Sequence, residues 1–336
     1  RTMDKYNFYK TDTKKVLNAL PKETLLNALK EMILIRVFET RAESAYQHGL
    51  IGGFFHAYTG QEAIQTGCIH ALGKDHWYAT TYRCHALALL LGVTPNEIMS
   101  ELYGRANGNA QGRGGSMHLY SDRLLGGFGI VGGHLPVSTG AGFSIKYKNQ
   151  KDKLSLCFLG EGASVQGTFH ESLNLASLWN LPCIYVIENN KWGMGTAATR
   201  AICVEPVAEH FAKAYGVESY TLNGTDFLQT YAAFKEIGEK VIKTQRPIIV
   251  EAVAERFRGH SISDPGLYRS KEELEEAKKG DPITILFNYL KAEKMIDDPG
   301  LDALNKEAKE IVVAAMEHAD KSPWPDPLTL EEGVYA

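Results

Sequence analysis

Leu154-Ser155-Leu156-Cys157-Phe158-Leu159-Gly160-Glu161-Gly162 is a short apolar run that stops at two glycines flanking an acid, and Cys183-Ile184-Tyr185-Val186-Ile187-Glu188-Asn189-Asn190 is a second run that stops at two asparagines. Each has the length and unbroken apolar character of a strand buried on both faces of a sheet, while residues 166–179 between them carry apolar side chains at helical spacing. Strand, helix and strand in that order predict a parallel βαβ unit. Residues 227–244 again read as a helix and residues 248–254 as an apolar strand, so the unit repeats. The expected fold class is α/β: a parallel sheet with helices on both faces.

Outward from this centre, Leu25, Leu29, Met32, Ile33, Val37 and Ala45 recur at helical spacing and predict one amphipathic helix over residues 22–48. Residues 49–60 mix glycines with aromatics and His56, a loop composition that allows close backbone approach to a bound group. Residues 103–139 hold ten more glycines and read as a long irregular stretch, which in a compact domain is usually functional or disordered. From Lys271 the chain is charged and helical to about residue 320, then ends in a proline-bearing segment. No linker or short repeat divides it, so residues 1–336 are expected to form a single domain.

Composition narrows the function. The chain has 336 residues, 44% hydrophobic and 23% charged, enough to bury a sizeable core, and its formal net charge of -4 gives no basic field for nucleic acid. Five cysteines without C-x-x-C spacing argue against a disulfide framework or a zinc knuckle, and so for a reducing compartment. The longest apolar stretches, such as residues 86–93, fall short of a membrane span, and Arg1-Thr2-Met3-Asp4 opens no apolar leader core.

In an open α/β sheet ligands gather beyond the carboxyl ends of the strands, which brings Glu161 and Asn190 together across one crossover. A carboxylate and a side-chain carbonyl are hard oxygen donors of the kind magnesium takes when diphosphate oxygens complete its octahedron. Gly160 and Gly162 permit a phosphate to approach, and the amides of Gly162 and Ala163 at the next helix start can donate to it. Taken singly these residues have plainer readings, a tight turn, a helix N-terminal charge and a turn former. Their joint spacing favours the site.

Gly160-Glu161-Gly162 with Asn189-Asn190 resembles the thiamine-diphosphate motif, GDG followed by NN. Residues 114–118 (Gly-Gly-Ser-Met-His), 129–132, 188–196 and 259–266 narrow the resemblance to alpha subunits of the thiamine-diphosphate-dependent 2-oxo-acid dehydrogenases, those acting on pyruvate in particular, over residues 22 to the C-terminus. The resemblance implies that Glu161, Asn190 and the backbone carbonyl of Trp192 hold magnesium, that Tyr82 and Arg83 contact the diphosphate, and that Gly129 and Val131 offer backbone groups to the aminopyrimidine. It also implies that His56 and His260 lie at the cofactor's reactive end as proton-transfer or charge-stabilising groups, and that Ser261 matches a regulatory phosphorylation site of animal members. His118 and His134 are read as loop or core residues.

The motif's usual aspartate is Glu161 here, similar to branched-chain 2-oxo-acid dehydrogenase alpha subunits, whereas Trp192-Gly193-Met194-Gly195-Thr196 resembles the pyruvate enzymes. The reaction implied is decarboxylation of pyruvate and acetylation of the lipoyl group of a dihydrolipoyl acetyltransferase. A beta subunit would supply the rest of the site in an alpha-2 beta-2 heterotetramer. The compartment implied is a bacterial cytoplasm, or a mitochondrial matrix or plastid stroma after loss of a presequence. A branched-chain or acetoin substrate is the alternative within the family. Readings of another class are a non-catalytic cofactor-binding module or a nicotinamide-dependent oxidoreductase using the GxGxxG of residues 127–132, which lacks a preceding apolar strand in Tyr120-Ser121-Asp122-Arg123.

Overall fold

Six parallel strands form the centre of the computed structural model: β1 (Trp77–Thr81), β2 (Leu124–Phe128), β3 (Ser155–Gly160), β4 (Cys183–Asn189), β7 (Glu218–Asn223) and β8 (Ile248–Val253), in the order β2-β1-β3-β4-β8-β7. Two further strands, β5 (Trp192–Gly193) and β6 (Thr196–Ala197), make a small antiparallel hairpin beyond β4. The structure describes residues 5–334; Arg1-Thr2-Met3-Asp4, read above for a leader, and the last two residues lie outside it.

Alternation along the buried strands builds one core on each face. Leu156, Phe158, Ile184, Val186, Val250 and Ala252 join Phe38, Leu87 and Ile237 in one cluster, while Cys157, Leu159, Cys183, Tyr185, Ile187 and Ile249 meet Leu135, Phe169 and Leu173 in the other. Each fully buried residue of this type stabilises the fold by about 1.5–3 kcal/mol relative to an exposed one. Helices thus cover both faces, as the apolar runs predicted. The helix predicted over residues 22–48 is Lys22–Gln47, and the crossover helices are Gly167–Trp179 and Phe227–Thr244. The C-terminal helices are Lys271–Lys278, Pro282–Ala292 and Asp298–Lys321. All five cysteines carry free thiols, and among the described residues no helix is long and apolar enough to cross a membrane.

The stretch 103–139 differs from expectation, because its second half holds β2 and the start of helix His134–Tyr147. Two glycines hide β2 in the sequence. One of them, Gly127, is required by packing: a Cβ there would meet the Cys84 Cβ and Sγ at 2.6 Å and the Met117 carbonyl at 2.7 Å. The ground for setting aside GxGxxG is therefore corrected, since a strand does precede it. What separates it from a dinucleotide fingerprint is topology, for β2 is an edge strand and the next strand in sequence, β3, lies across β1 rather than beside it.

Candidate active site

The strand order reverses between β1 and β3, so the crevice beyond their carboxyl ends is the expected ligand position. Residues from five neighbouring strands converge there: Gly129 after β2, Tyr82 and Arg83 after β1, Glu161 after β3, Asn190 after β4 and Arg256 shortly after β8.

Glu161 opens a short 3-10 turn, Glu161–Val165, and is 1% exposed. Its Oε2 accepts from the Asn190 amide at 3.3 Å, whereas its Oε1 is buried without a partner among the described residues. Burial pushes its carboxyl up to about 7, against the hydrogen bonds from its own amide and that of Asn190 and the charges of Arg256 and Arg83. A bound cation would remove that cost. The Asn190 Oδ1 accepts from the Trp192 amide at 3.3 Å, and its Nδ2 donates to Gln61 Oε1 at 3.2 Å. The turn that carries these residues is fixed by Asn189, whose Oδ1 accepts from the Lys191 amide at 2.9 Å and whose Nδ2 donates to Glu251 at 2.7 Å. Gly162 faces Gly193 of the hairpin, a Cβ at Gly162 lying 3.6 Å from the Gly193 Cα, so both bare backbones border the site, with Ala163 buried beside them.

Arg83 is 5% exposed, and its Nη1 and Nη2 donate to the carbonyls of Ala57 at 2.7 Å and His260 at 2.6 Å. Desolvation lowers its pKa to about 10, still charged at neutral pH. Each terminal nitrogen retains a second N–H for an anion. These bonds tie the His56 loop to the His260 loop, which also run together through Ile262 N to Phe55 O at 3.0 Å. The rings of His56, Tyr82 and His260 consequently form a cluster, with centroids 4.3 Å apart for His56 and Tyr82 and 5.0 Å for His56 and His260. Burial lowers His56 to about 2 and His260 to about 4, in each case reinforced by Arg83, so both are neutral imidazoles, and their Nδ1 atoms are buried with no partner among the described residues. The His260 loop is closed by Asp264, which accepts from the amides of His260 at 2.6 Å and Gly266 at 2.9 Å and from the Tyr268 hydroxyl at 2.6 Å. Ser261 stands in this loop with its hydroxyl 3.0 Å from that of Ser263.

The sequence reading passed over Arg256, which is 1% exposed. Its guanidinium donates to the carbonyls of Trp192 at 3.3 Å and Met194 at 3.1 Å and to the Tyr268 hydroxyl at 2.6 Å. The Trp192 carbonyl assigned to magnesium by resemblance therefore faces a cationic group here, with one lone pair left over. A charged residue just past the apolar strand 248–254 is the signal that would have found it, since strand ends were already where Glu161 and Asn190 were sought. Gly129 and Val131 lie on the loop before helix His134–Tyr147, and this loop meets helix Gly167–Trp179, where Thr168 Oγ1 donates to Gly132 O at 3.1 Å. The Gly129 amide donates to His118 Nε2 at 3.3 Å, making His118 a brace of this loop, and His134 is a core residue bonded to the Phe158 carbonyl at 2.8 Å.

Two buried guanidiniums and one carboxyl thus share a crevice rimmed by bare glycine backbone. The excess positive charge suits an anion, and the orphaned Glu161 Oε1 beside the Asn190 carbonyl suits a hard cation accompanying it. Among the described residues no three His, Cys, Asp or Glu side chains gather to hold a metal.

The profile of the family "Dehydrogenase E1 component" matches residues 30–328. The chain is 40% identical over 316 residues to the pyruvate dehydrogenase E1 component subunit alpha of Rickettsia conorii, covering 94% of this chain and 96% of that one. It is 39% identical over 308 residues to the Rhizobium meliloti protein of the same name, covering 91% and 88%. Against the chloroplastic alpha-3 subunit of Arabidopsis thaliana it is 38% identical over 324 residues, covering 94% and 76%. With the profile and these relatives spanning the sheet, the crevice and the flanking helices alike, the chain belongs to the dehydrogenase E1 component family, the thiamine-diphosphate-dependent 2-oxo-acid dehydrogenases.

Proposed function

We propose that this chain is the alpha subunit of a pyruvate dehydrogenase, binding thiamine diphosphate and magnesium, completed by a beta subunit, and passing the acetyl group to the lipoyl group of a dihydrolipoyl acetyltransferase. The observation that carries the magnesium half is the buried, unpartnered Glu161 Oε1 beside Asn190 at the carboxyl ends of β3 and β4. The pyruvate half is supported by the names of the relatives, all spanning at least 91% of this chain. A bacterial cytoplasm or a plastid stroma is the setting that those relatives suggest.

The donor set fits the cation. Glu161 supplies the carboxylate, and Asn190 and the Trp192 carbonyl supply neutral oxygens. Arg83, Tyr82, Arg256 and the amides of Gly162 and Ala163 supply donors for the diphosphate. The backbone of Gly129 and Val131 would offer hydrogen-bonding groups to the aminopyrimidine. Thiamine diphosphate, when bound, supplies the nucleophilic carbon and the electron sink that decarboxylation of a 2-oxo acid requires.

The chain's own part is to hold, orient and exchange protons. Burial and Arg83 hold His56 and His260 neutral, so either ring would take up a proton, or stabilise developing charge, only once negative charge arises beside it. Arg83 fixes both histidine loops through their carbonyls, coupling the anion-binding guanidinium to the position of both rings. A phosphate on Ser261 would place its charge beside His260 and repel the diphosphate, while the run Pro265-Gly266-Leu267-Tyr268-Arg269 lacks the second serine of animal loops.

The test is calorimetric titration of thiamine diphosphate, with and without magnesium, into the chain assembled with its beta subunit. Asn190→Ala is expected to abolish the magnesium-dependent heat, and His260→Ala to keep it while lowering turnover. Equal loss of binding in both variants would refute this division of roles. Turnover of pyruvate is expected to exceed that of 2-oxoisovalerate, and the reverse order would assign the branched-chain substrate instead.

A further inference from the structure

Gln61 is 1% exposed and its backbone is held from both sides. Its amide donates to the Tyr58 carbonyl at 3.2 Å. Gly60 before it has φ +99° and so little room that a Cβ would lie 2.2 Å from the Glu255 carbonyl oxygen. Glu62 after it is paired with Arg36 and accepts from the Gly60 amide at 3.0 Å. From this fixed backbone the Gln61 Oε1 accepts from Asn190 Nδ2 at 3.2 Å, and its own Nε2 is buried with no partner among the described residues.

A carboxamide has two ends of nearly equal size and opposite polarity, and only the oxygen can ligate a cation. Turning Asn190 over alone would set its oxygen against Gln61 Oε1. Turning both amides together would keep their mutual bond but set Asn190 Nδ2 against the Trp192 N–H, two donors face to face. The bonds from Trp192 and to Gln61 therefore select one orientation between them. The unpaired Nε2 is a buried donor lacking an acceptor, a cost that an oxygen of a bound ligand would offset.

We propose that Gln61 is the positioning residue of the cation site, holding the Asn190 oxygen toward the metal through Oε1 and offering Nε2 to an oxygen of the diphosphate or of a metal-bound water. This rests on the reading of Glu161 and Asn190 as cation ligands. Partners that orient metal ligands typically change metal affinity about 10- to 100-fold when removed.

The test uses the chain assembled with its beta subunit, Mn2+ as the probe counted by its free-ion paramagnetic resonance signal at thiamine diphosphate concentrations that saturate each variant, and urea midpoints as the control for folding. Gln61→Leu removes both functions and is expected to weaken Mn2+ binding about 10- to 100-fold. Gln61→Glu keeps the acceptor for Asn190 Nδ2 but loses the donor and adds a negative charge. It is expected to retain Mn2+ binding while weakening that of thiamine diphosphate. A folded leucine variant that binds Mn2+ like the parent overturns the proposal, and so does loss of Mn2+ binding in the glutamate variant, even if the leucine variant does not fold. Asn190→Ala run in parallel separates the two levels: if it too binds Mn2+ normally, the cation reading has failed; if it alone loses binding, only the role of Gln61 has.

Discussion

At the residue scale, burial moves acids and bases toward the same end, the neutral form. It pushes Glu161 and Glu188 up to about 7, holds His134 and His260 down at about 4, and takes His56 to about 2. Arg83 and Arg256 stay cationic beside these neutral groups, which suits an anionic cofactor. The two kinds of shift act oppositely on stability. A raised carboxyl loses stability as pH rises from the unfolded value toward 7, whereas a depressed histidine loses it as pH falls from 6.5 toward 4, because the unfolded chain then binds a proton that the folded one refuses. His134 lies away from the crevice, on the Phe158 carbonyl, so its contribution can be isolated. Its share of the loss is about 2 kcal/mol at pH 5 relative to pH 7. Urea midpoints of the parent and of His134→Gln at these two pH values should therefore show the parent losing more stability on acidification, since the carboxyl contributions are common to both. Equal losses would mean that His134 is protonated in the fold.

At the scale of elements, the glycine-rich stretch divides into two structures with different causes. Glu101, near the end of helix Pro95–Leu102, is fully buried where a negative charge opposes the helix dipole. The following loop wraps around it: its Oε1 accepts from the amides of Gly114 at 2.7 Å and Gly115 at 3.0 Å, and its Oε2 from those of Ala110 at 2.7 Å and Gly112 at 2.9 Å. A carboxamide can accept with one end only, so Glu101→Gln leaves two buried N–H groups facing an NH2. The expected loss is on the order of 3 kcal/mol in urea unfolding, with early proteolysis between residues 104 and 117. A variant with unchanged stability and cleavage would show that the four bonds contribute little. Glycine count alone merged this cage with the loop after β2. For the same kind of reason β3, β4 and β8 were legible as unbroken apolar runs, while β1 ends in threonines, β2 carries paired glycines and the edge strand β7 is largely polar. The site divides likewise. Glu161 and Asn190 stand at the ends of legible strands, and Arg256 obeys the same rule one strand further along. Gln61 meets Asn190 across 129 residues of sequence, a tertiary contact that no local spacing encodes.

For the whole molecule the open question is whether the terminal helices belong to the same folding unit as the sheet. Val312, Ala315 and Ala319 of helix Asp298–Lys321 enter the cluster that contains Phe38, Leu87 and Leu102. Leu25, Leu29 and Met32 of helix Lys22–Gln47 share another cluster with Leu286, Leu290 and Ala308. The loop after helix Pro95–Leu102 holds the C-terminal segment as well, Arg105 stacking 3.8 Å over the Trp324 ring and Arg113 donating to the Glu332 carbonyl at 2.7 Å. Cutting the chain before Asp298 would bare apolar surface on both helices Lys22–Gln47 and Pro95–Leu102, so no segment boundary separates a self-sufficient core. One cooperative domain should result. Its four tryptophans sample that prediction well: Trp77 begins β1, Trp179 ends a crossover helix, Trp192 lies in the β5-β6 hairpin and Trp324 follows the last long helix. Variants retaining one tryptophan each should unfold in urea with a common midpoint and slope once normalised to the secondary-structure signal of the same variant. A separate, earlier transition reported by Trp324 would make the C-terminal helices a domain of their own, and the shared clusters a contact between domains rather than one core.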